Sequence, residues 1–193
     1  MRSARRCTIL RSERKSCVNG PVLWITGLPG SGKSTVADAL KELLPDLVIL
    51  RMDELRRFVT PRPTYSDGER DIVYRAMIYT AQTLSALGHR VIIDATGNRR
   101  KWRDLARDTT HRFAEVYISC PLALCVEREE SRKETRGAPR DIFRRAGAGW
   151  PVPGLSAPYE EPLHPELIVR SDEMSPAAAA ALIRDFIERR FND

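Results

Sequence analysis

Val22-Leu23-Trp24-Ile25-Thr26 runs directly into Gly27-Leu28-Pro29-Gly30-Ser31-Gly32-Lys33-Ser34, and no other stretch constrains the fold of this chain as tightly. The pattern is G-x-x-x-x-G-K-[S/T]. An apolar, β-branched and aromatic run precedes it, and Val36, Ala39, Leu40, Leu43 and Leu44 follow at helical spacing. Strand, glycine-rich turn and helix in that order make a phosphate-binding loop. The glycines let the backbone turn tightly and aim N–H groups at phosphate oxygens. The helix N-terminus adds partial positive charge. Lys33 has the reach for β- and γ-phosphates, and the Ser34 hydroxyl is of the type that ligates Mg²⁺. A bare turn needs neither Lys nor Ser after its last glycine. Residues 27–34, with Thr35 behind them, therefore point to ATP or GTP together with Mg²⁺.

Hydrophobic patterning places this loop in an alternating succession. Strands are expected over 22–26, 47–52, 90–95, 114–119 and 167–169, nearly all apolar, as strands covered on both faces are. Helices are expected over 33–44, 54–58, 66–87, 99–109, 121–130 and 175–190. Thr60-Pro61-Arg62-Pro63 breaks the second of these. Ser66 caps the third, with Glu69 completing a capping box and Gly88 closing its far end. Ser175-Pro176 opens the last. Residues 131–160 are rich in Arg, Gly and Pro without a long periodic run, which reads as a lid. The alternation predicts the kinase-like P-loop NTPase architecture: α/β, three layers α/β/α around a five-stranded parallel sheet, with a lid segment, as one domain over 20–193. Ligands of such sheets bind at the carboxyl ends of the strands. The loop, Asp53, residues 94–98 and the 131–160 segment all emerge there.

Composition narrows the partners. The chain has 193 residues and a formal charge of +6. Residues 1–20 hold six cations and one acid, so they supply +5 of that and leave the body near +1. A near-neutral body without a basic stripe and interleaved aromatics weighs against nucleic acid. The basic stretch 1–19 is expected to be a disordered extension. It shares its Arg- and Ser-containing, acid-poor make-up with organelle transit peptides, but a solvated tail or an upstream start codon accounts for it more simply. No apolar run approaches the roughly 20 residues that span a bilayer. Cys7, Cys17, Cys120 and Cys125 form no C-x-x-C pair, and His89, His111 and His164 have no ligand spacing. The thiols of Cys120 and Cys125 are expected to be buried and reduced, which fits a cytoplasmic setting.

Two carboxylates complete the chemistry. Asp53 ends the second strand facing the loop, where a carboxylate can accept the proton of an attacking hydroxyl or support the metal through water; a helix cap for 54–58 is the alternative. Asp94 ends the third strand, where a second acid that helps hold Mg²⁺ through water is expected; a turn-capping Asp is the alternative.

The chain resembles the adenylylsulfate (APS) kinase family over about residues 20–190. The carriers are Gly154-Leu155-Ser156-Ala157-Pro158-Tyr159-Glu160-Glu161-Pro162, similar to G-I-D-S-P-Y-E-x-P; Arg140-Asp141-Ile142-Phe143-Arg144-Arg145-Ala146, similar to K-G-L-Y-K-K-A; and the passage from Ala114 to Arg128, similar to E-V-Y-V-x-x-P-L-x-x-C-x-x-R. The resemblance implies a MgATP-dependent kinase of a small-molecule nucleotide, acting on the 3′-hydroxyl of adenosine 5′-phosphosulfate, with a tendency to dimerise. It implies Lys33 and Asp53 as catalytic residues and Arg128 with the loop on ATP; Asp94 is a catalytic candidate from its place at the strand end, in an Ile92-Ile93-Asp94-Ala95-Thr96 pattern that resembles polynucleotide 5′-hydroxyl kinases more than this family. Arg56 and Arg70 would bind the phosphosulfate, Tyr65 would stack on the adenine, and Arg140 and Arg144 would act from the lid; the family's opposing aromatic falls at Val152 here, and Trp150, two residues back, is the candidate to substitute for it, lid packing being the alternative. Departures stand at Arg51, where the family has Asp, at Val73, where it has a substrate-contacting Asn, and at Thr96-Gly97-Asn98, where it has I-S-P. These keep open a related kinase for another hydroxyl (a polynucleotide 5′ end, a sugar, an antibiotic) and, from another class, a nucleotide-binding module without turnover.

Overall fold

The computed structural model describes residues 19–132, 141–147 and 150–191, with the side chain of Arg145 outside the description. The expected extension, apart from Asn19, and Cys7 and Cys17 within it, lie outside these residues, as does Arg140. The order is β1 Val22–Thr26, α1 Lys33–Leu43, β2 Val48–Arg51, α2 Met52–Val59, α3 Asp67–Ala86, β3 Val91–Asp94, α4 Arg100–Thr109, β4 Phe113–Ser119, α5 Leu122–Glu130, α6 Ile142–Ala146, β5 Leu167–Arg170 and α7 Pro176–Phe191. The five strands form one parallel sheet in the order β2-β3-β1-β4-β5, so β1, which feeds the glycine-rich loop, is central.

Side-chain alternation along β1 sorts the core into two layers. Leu23 and Ile25 face α1 and α7, packing with Val36, Leu40, Ala180, Ile183 and Ile187. Val22 and Trp24 face α3 and α4, packing with Val73, Met77, Trp102 and Ala106. In that second layer Tyr74 lies between two indoles, its ring 5.8 Å from Trp24 and 4.2 Å from Trp102. Trp24 Nε1 donates to the Ala95 carbonyl at 2.9 Å, which satisfies the one polar atom this buried indole carries. Gly97 (φ +51°) passes close against this stack: a Cβ there would sit 2.8 Å from the Trp24 ring.

Three differences from the sequence-based expectation bear on the site. The second helix begins at Met52, directly out of β2, so Asp53 lies in its first turn rather than at the end of the strand or at the helix cap, which is Arg51. The 131–160 stretch contains a short helix, α6, whose Phe143 packs with Val152, Cys120 and Cys125 in a third, smaller cluster. The capping box at α3 is half formed: Ser66 Oγ accepts from Glu69 N at 3.3 Å, but the Glu69 carboxylate goes elsewhere. Cys120 and Cys125 are free and buried, as expected.

At the amino edge of the sheet Arg112 donates from Nη1 to the Asn19 carbonyl at 3.1 Å and from Nη2 to the Phe191 carbonyl. Among the described residues no helix is long and apolar enough to cross a membrane.

Candidate active site

At the carboxyl ends of β1, β2 and β3 lies a cleft of about 480 Å³. Its floor is the loop. Gly30 (φ +77°) needs its missing side chain, since a Cβ would run into the Cys125 carbonyl of α5. Lys33 is buried and its ammonium donates to two loop carbonyls, Gly27 at 3.0 Å and Leu28 at 2.8 Å. Burial pulls its pKa below the ordinary lysine value, with Asp94, Cys125, Asp53 and Glu129 opposing. Ser34 and Thr35 line the cleft. Ser31 Oγ is buried and without a hydrogen-bond partner among the described residues. Leu28 turns away from the cleft and packs beneath Gly154, joining the loop to the 154–162 segment.

Arg128 reaches the same cleft from α5. It donates to Ser171 Oγ at 3.1 Å, to the Ser171 carbonyl at 2.9 Å and to Cys120 Sγ at 3.5 Å. Arg132 and Glu129 form an ion pair at 2.7 Å, and both line the cleft. Sequence reasoning gave Glu129 no role. Burial raises its pKa, with Arg132 opposing.

Both expected carboxylates are here. Burial raises the Asp53 pKa, against Arg56 and with Asp94 adding to it. Asp94, 6 % exposed, accepts from Arg51 Nη1 at 3.1 Å. Arg51 also pairs with Asp38 and, at 3.7 Å, with Glu54. The residue that departs from the family pattern is therefore the counter-ion of the second carboxylate. Oxygen donors of this kind, a hydroxyl at Ser34 and a buried carboxylate at Asp94, suit Mg²⁺.

On the opposite wall stand Arg56, Tyr65, Arg70 and Trp150. Arg56 Nη1 donates to Glu69 Oε1 at 2.7 Å, its guanidinium lies 4.8 Å from the Tyr65 ring centre, and its Nε is buried without a hydrogen-bond partner among the described residues. Arg70 donates to the Tyr65 carbonyl at 3.0 Å, to Asn98 Oδ1 at 3.1 Å and to the Pro151 carbonyl at 3.3 Å. The Tyr65 and Trp150 rings meet at 4.4 Å, tilted by 58°. Val73 is 0 % exposed, turned into the core beside Trp24. An amide stands against Arg70 from the segment after β3 instead: Asn98 accepts from Arg70 and donates from Nδ2 to the Pro158 carbonyl at 3.0 Å. Arg144 is exposed on α6 and is not among the residues that line the cleft. Arg140 and the Arg145 side chain lie outside the described residues.

Chemically, the cleft offers a nucleotide-phosphate cradle at one end, two arginines beside an aromatic pair at the other, and two carboxylates, Asp53 and Asp94, between. That is the layout for moving a phosphoryl group onto a hydroxyl held by the far wall.

Residues 19–170 match a family described as adenylylsulphate kinase. A probable adenylyl-sulfate kinase of Archaeoglobus fulgidus is 34 % identical over 158 residues, 79 % of this chain and 96 % of its own length. One of Bacillus subtilis is 31 % identical over 193 residues, 94 % of this chain and 92 % of its own. Among solved structures, the Mycobacterium tuberculosis APS kinase CysC in complex with AMPPNP and APS superposes with a TM-score of 0.77 at 29 % identity, covering 88 % of this chain and 98 % of that one.

Proposed function

This chain belongs to the adenylylsulphate kinase family, and from that premise we propose that it transfers the terminal phosphoryl group of ATP to the 3′-hydroxyl of adenosine 5′-phosphosulfate. What carries the reading is the coincidence, in one cleft, of the glycine-rich loop with Asp53, Arg56 and Arg70, in a chain so similar to an enzyme solved with AMPPNP and APS.

The loop N–H groups and Lys33 take the ATP phosphates, Lys33 exchanging the Gly27 and Leu28 carbonyls for phosphate oxygens. Arg128 borders the same end. Ser34 would hold Mg²⁺, with Asp94 supporting it through water; bound there, the ion neutralises charge on the transferring group. Asp53, made more basic by burial, accepts the proton of the acceptor hydroxyl as that oxygen attacks the γ-phosphorus. Arg56 and Arg70 hold the acceptor's phosphosulfate, for which guanidinium forks are suited. Tyr65 and Trp150 take its adenine. The buried free thiols and the demand for ATP support a cytoplasmic setting. The dimerisation that the family resemblance implies is checked by sedimentation.

Coupled ADP release with purified protein and MgATP tests the function. Turnover is expected to require adenosine 5′-phosphosulfate and to saturate at low concentrations of it. ADP release indifferent to that acceptor would overturn the assignment and move it to another hydroxyl, with Val73 and Asn98 as the residues that mark the change.

A further inference from the structure

Glu69 is the most heavily engaged carboxylate near the cleft, and nothing in the activity as described uses it. It sits in the first turn of α3, 9 % exposed. Its Oε1 accepts from Arg56 Nη1 at 2.7 Å and from Thr60 Oγ1 at 3.4 Å. Its Oε2 accepts from the Thr64 N–H, from Thr64 Oγ1 at 2.8 Å and from the Tyr65 N–H at 3.1 Å. An ordinary capping-box glutamate would reach back to the N–H of Ser66 and stop there. This one passes the cap and gathers the two preceding N–H groups together with a guanidinium from another helix.

Two consequences follow for the far wall of the cleft. Tyr65 has φ +58°, a left-handed backbone that a non-glycine residue adopts only when its surroundings hold it there. The Tyr65 N–H bonded to Glu69 and the Tyr65 carbonyl bonded to Arg70 Nε are the two clamps on that residue. The same carboxylate fixes Arg56 from behind, which lays the guanidinium against the Tyr65 ring and leaves Nε without a hydrogen-bond partner among the described residues. One side chain thus sets both the aromatic and the cationic element of this wall.

We propose that Glu69 is the positioning residue of the acceptor site, presenting Tyr65 and Arg56 as one preformed unit that receives an aromatic base and its attached oxyanion. The proposal rests on the phosphotransfer reading for the identity of the acceptor, but not for the arrangement itself. It predicts a selective defect. Losing a charged hydrogen-bond partner is worth about 10- to 100-fold in an equilibrium, and here that loss falls on the acceptor, because the hydrogen bonds of the Glu69 carboxylate go to Arg56, Thr60, Thr64 and Tyr65, on the far wall and the chain leading to it.

The test is Glu69→Ala, Glu69→Gln and Glu69→Asp, read in two ways. In steady-state kinetics, Glu69→Ala is expected to raise the KM for adenosine 5′-phosphosulfate about tenfold or more while the KM for ATP stays within about twofold. Glu69→Asp, which keeps the charge, is expected to recover most of the loss, and Glu69→Gln less of it. In near-ultraviolet circular dichroism, which needs no turnover, Glu69→Ala is expected to remove the signal of the coupled Tyr65–Trp150 pair as Tyr65→Ala does, and Glu69→Gln to weaken it. An unchanged acceptor KM with an unchanged spectrum would overturn the proposal. So would an equal loss toward ATP and acceptor in Glu69→Gln, the variant that keeps the shape of the side chain. If wild-type protein ignores adenosine 5′-phosphosulfate, the assignment of substrate fails, while the spectra still decide whether Glu69 sets the aromatic wall.

Discussion

Asp53 and Glu69 are two carboxylates at one cleft whose surroundings push them in opposite directions. Asp53 is half-buried, and desolvation there, with Asp94 nearby, holds its proton more tightly than an ordinary aspartate's. As a base it is stronger for that. Asp53→Ala is expected to leave AMPPNP affinity within about twofold and to lower turnover by about 10²- to 10⁴-fold, the usual range for a general base; titration calorimetry beside the ADP assay checks the split. Equal loss of both would leave Asp53 only the structural role of a carboxylate in the first turn of α2. Glu69 is also penalised by burial, but the Thr64 N–H and hydroxyl, Arg56 and the Tyr65 N–H outweigh that and hold its pKa below the usual 4.5. A carboxylate depressed in the folded state stabilises above its unfolded pKa, and that contribution fades as pH falls through the folded value. Melting curves between neutral and acid pH are therefore expected to show wild type losing stability more steeply below about pH 4.5 than Glu69→Gln, whose amide does not titrate.

Among the elements, the strand–loop–helix that begins at β1 was legible because all of its determinants are local. Gly27 to Ser34 lie within eight consecutive positions, and the physics of the turn needs nothing distant. Gly30→Ala puts a methyl into the Cys125 carbonyl and a side chain at φ +77°. Its expected cost is about 1–3 kcal/mol of stability with AMPPNP binding weakened at least about tenfold, measured by thermal melting and nucleotide titration. The positions of the five strands and the Ser66 cap were legible for the same reason, since apolar period and capping chemistry are read residue by residue. The far wall was legible only as four names, Arg56, Tyr65, Arg70 and Trp150, which the family resemblance supplied; the contacts that build it were not. Glu69 reaches Arg56 thirteen positions away and Arg70 reaches Asn98 twenty-eight away. Such pairings exist only once α2 and α3 and the end of β3 have been brought together. The start of α2 at Met52 was missed because the apolar run 47–52 gives no sign of where strand gives way to helix. Arg51 shows the same limit: as a letter it is only a departure from the family pattern, and in space it is the partner of Asp94.

The molecule as a whole is a sheet with its ligand-binding business gathered at one edge. The loop, α5, α7 and residues 150–153 all contribute to a single cleft, so filling the cleft should be felt by both core layers. Mg²⁺ and AMPPNP at about one hundred times their dissociation constant are expected to add about 2.7 kcal/mol of stability, which for a chain of this size raises the melting temperature by roughly 5–10 °C. Lys33→Met should abolish most of that shift, which differential scanning fluorimetry reads directly. The opposite edge carries a different implication. Arg112 ties the carbonyls of Asn19 and Phe191 to the same guanidinium, so the polypeptide enters and leaves the folded body at neighbouring points, behind the sheet from the cleft. A tag or surface tether attached at Asn19 or Phe191 is therefore attached at the amino ends of the strands, the end of the sheet away from the cleft. Fusion at either point leaves the mouth of the cleft open, and immobilisation through either would turn that mouth toward solvent.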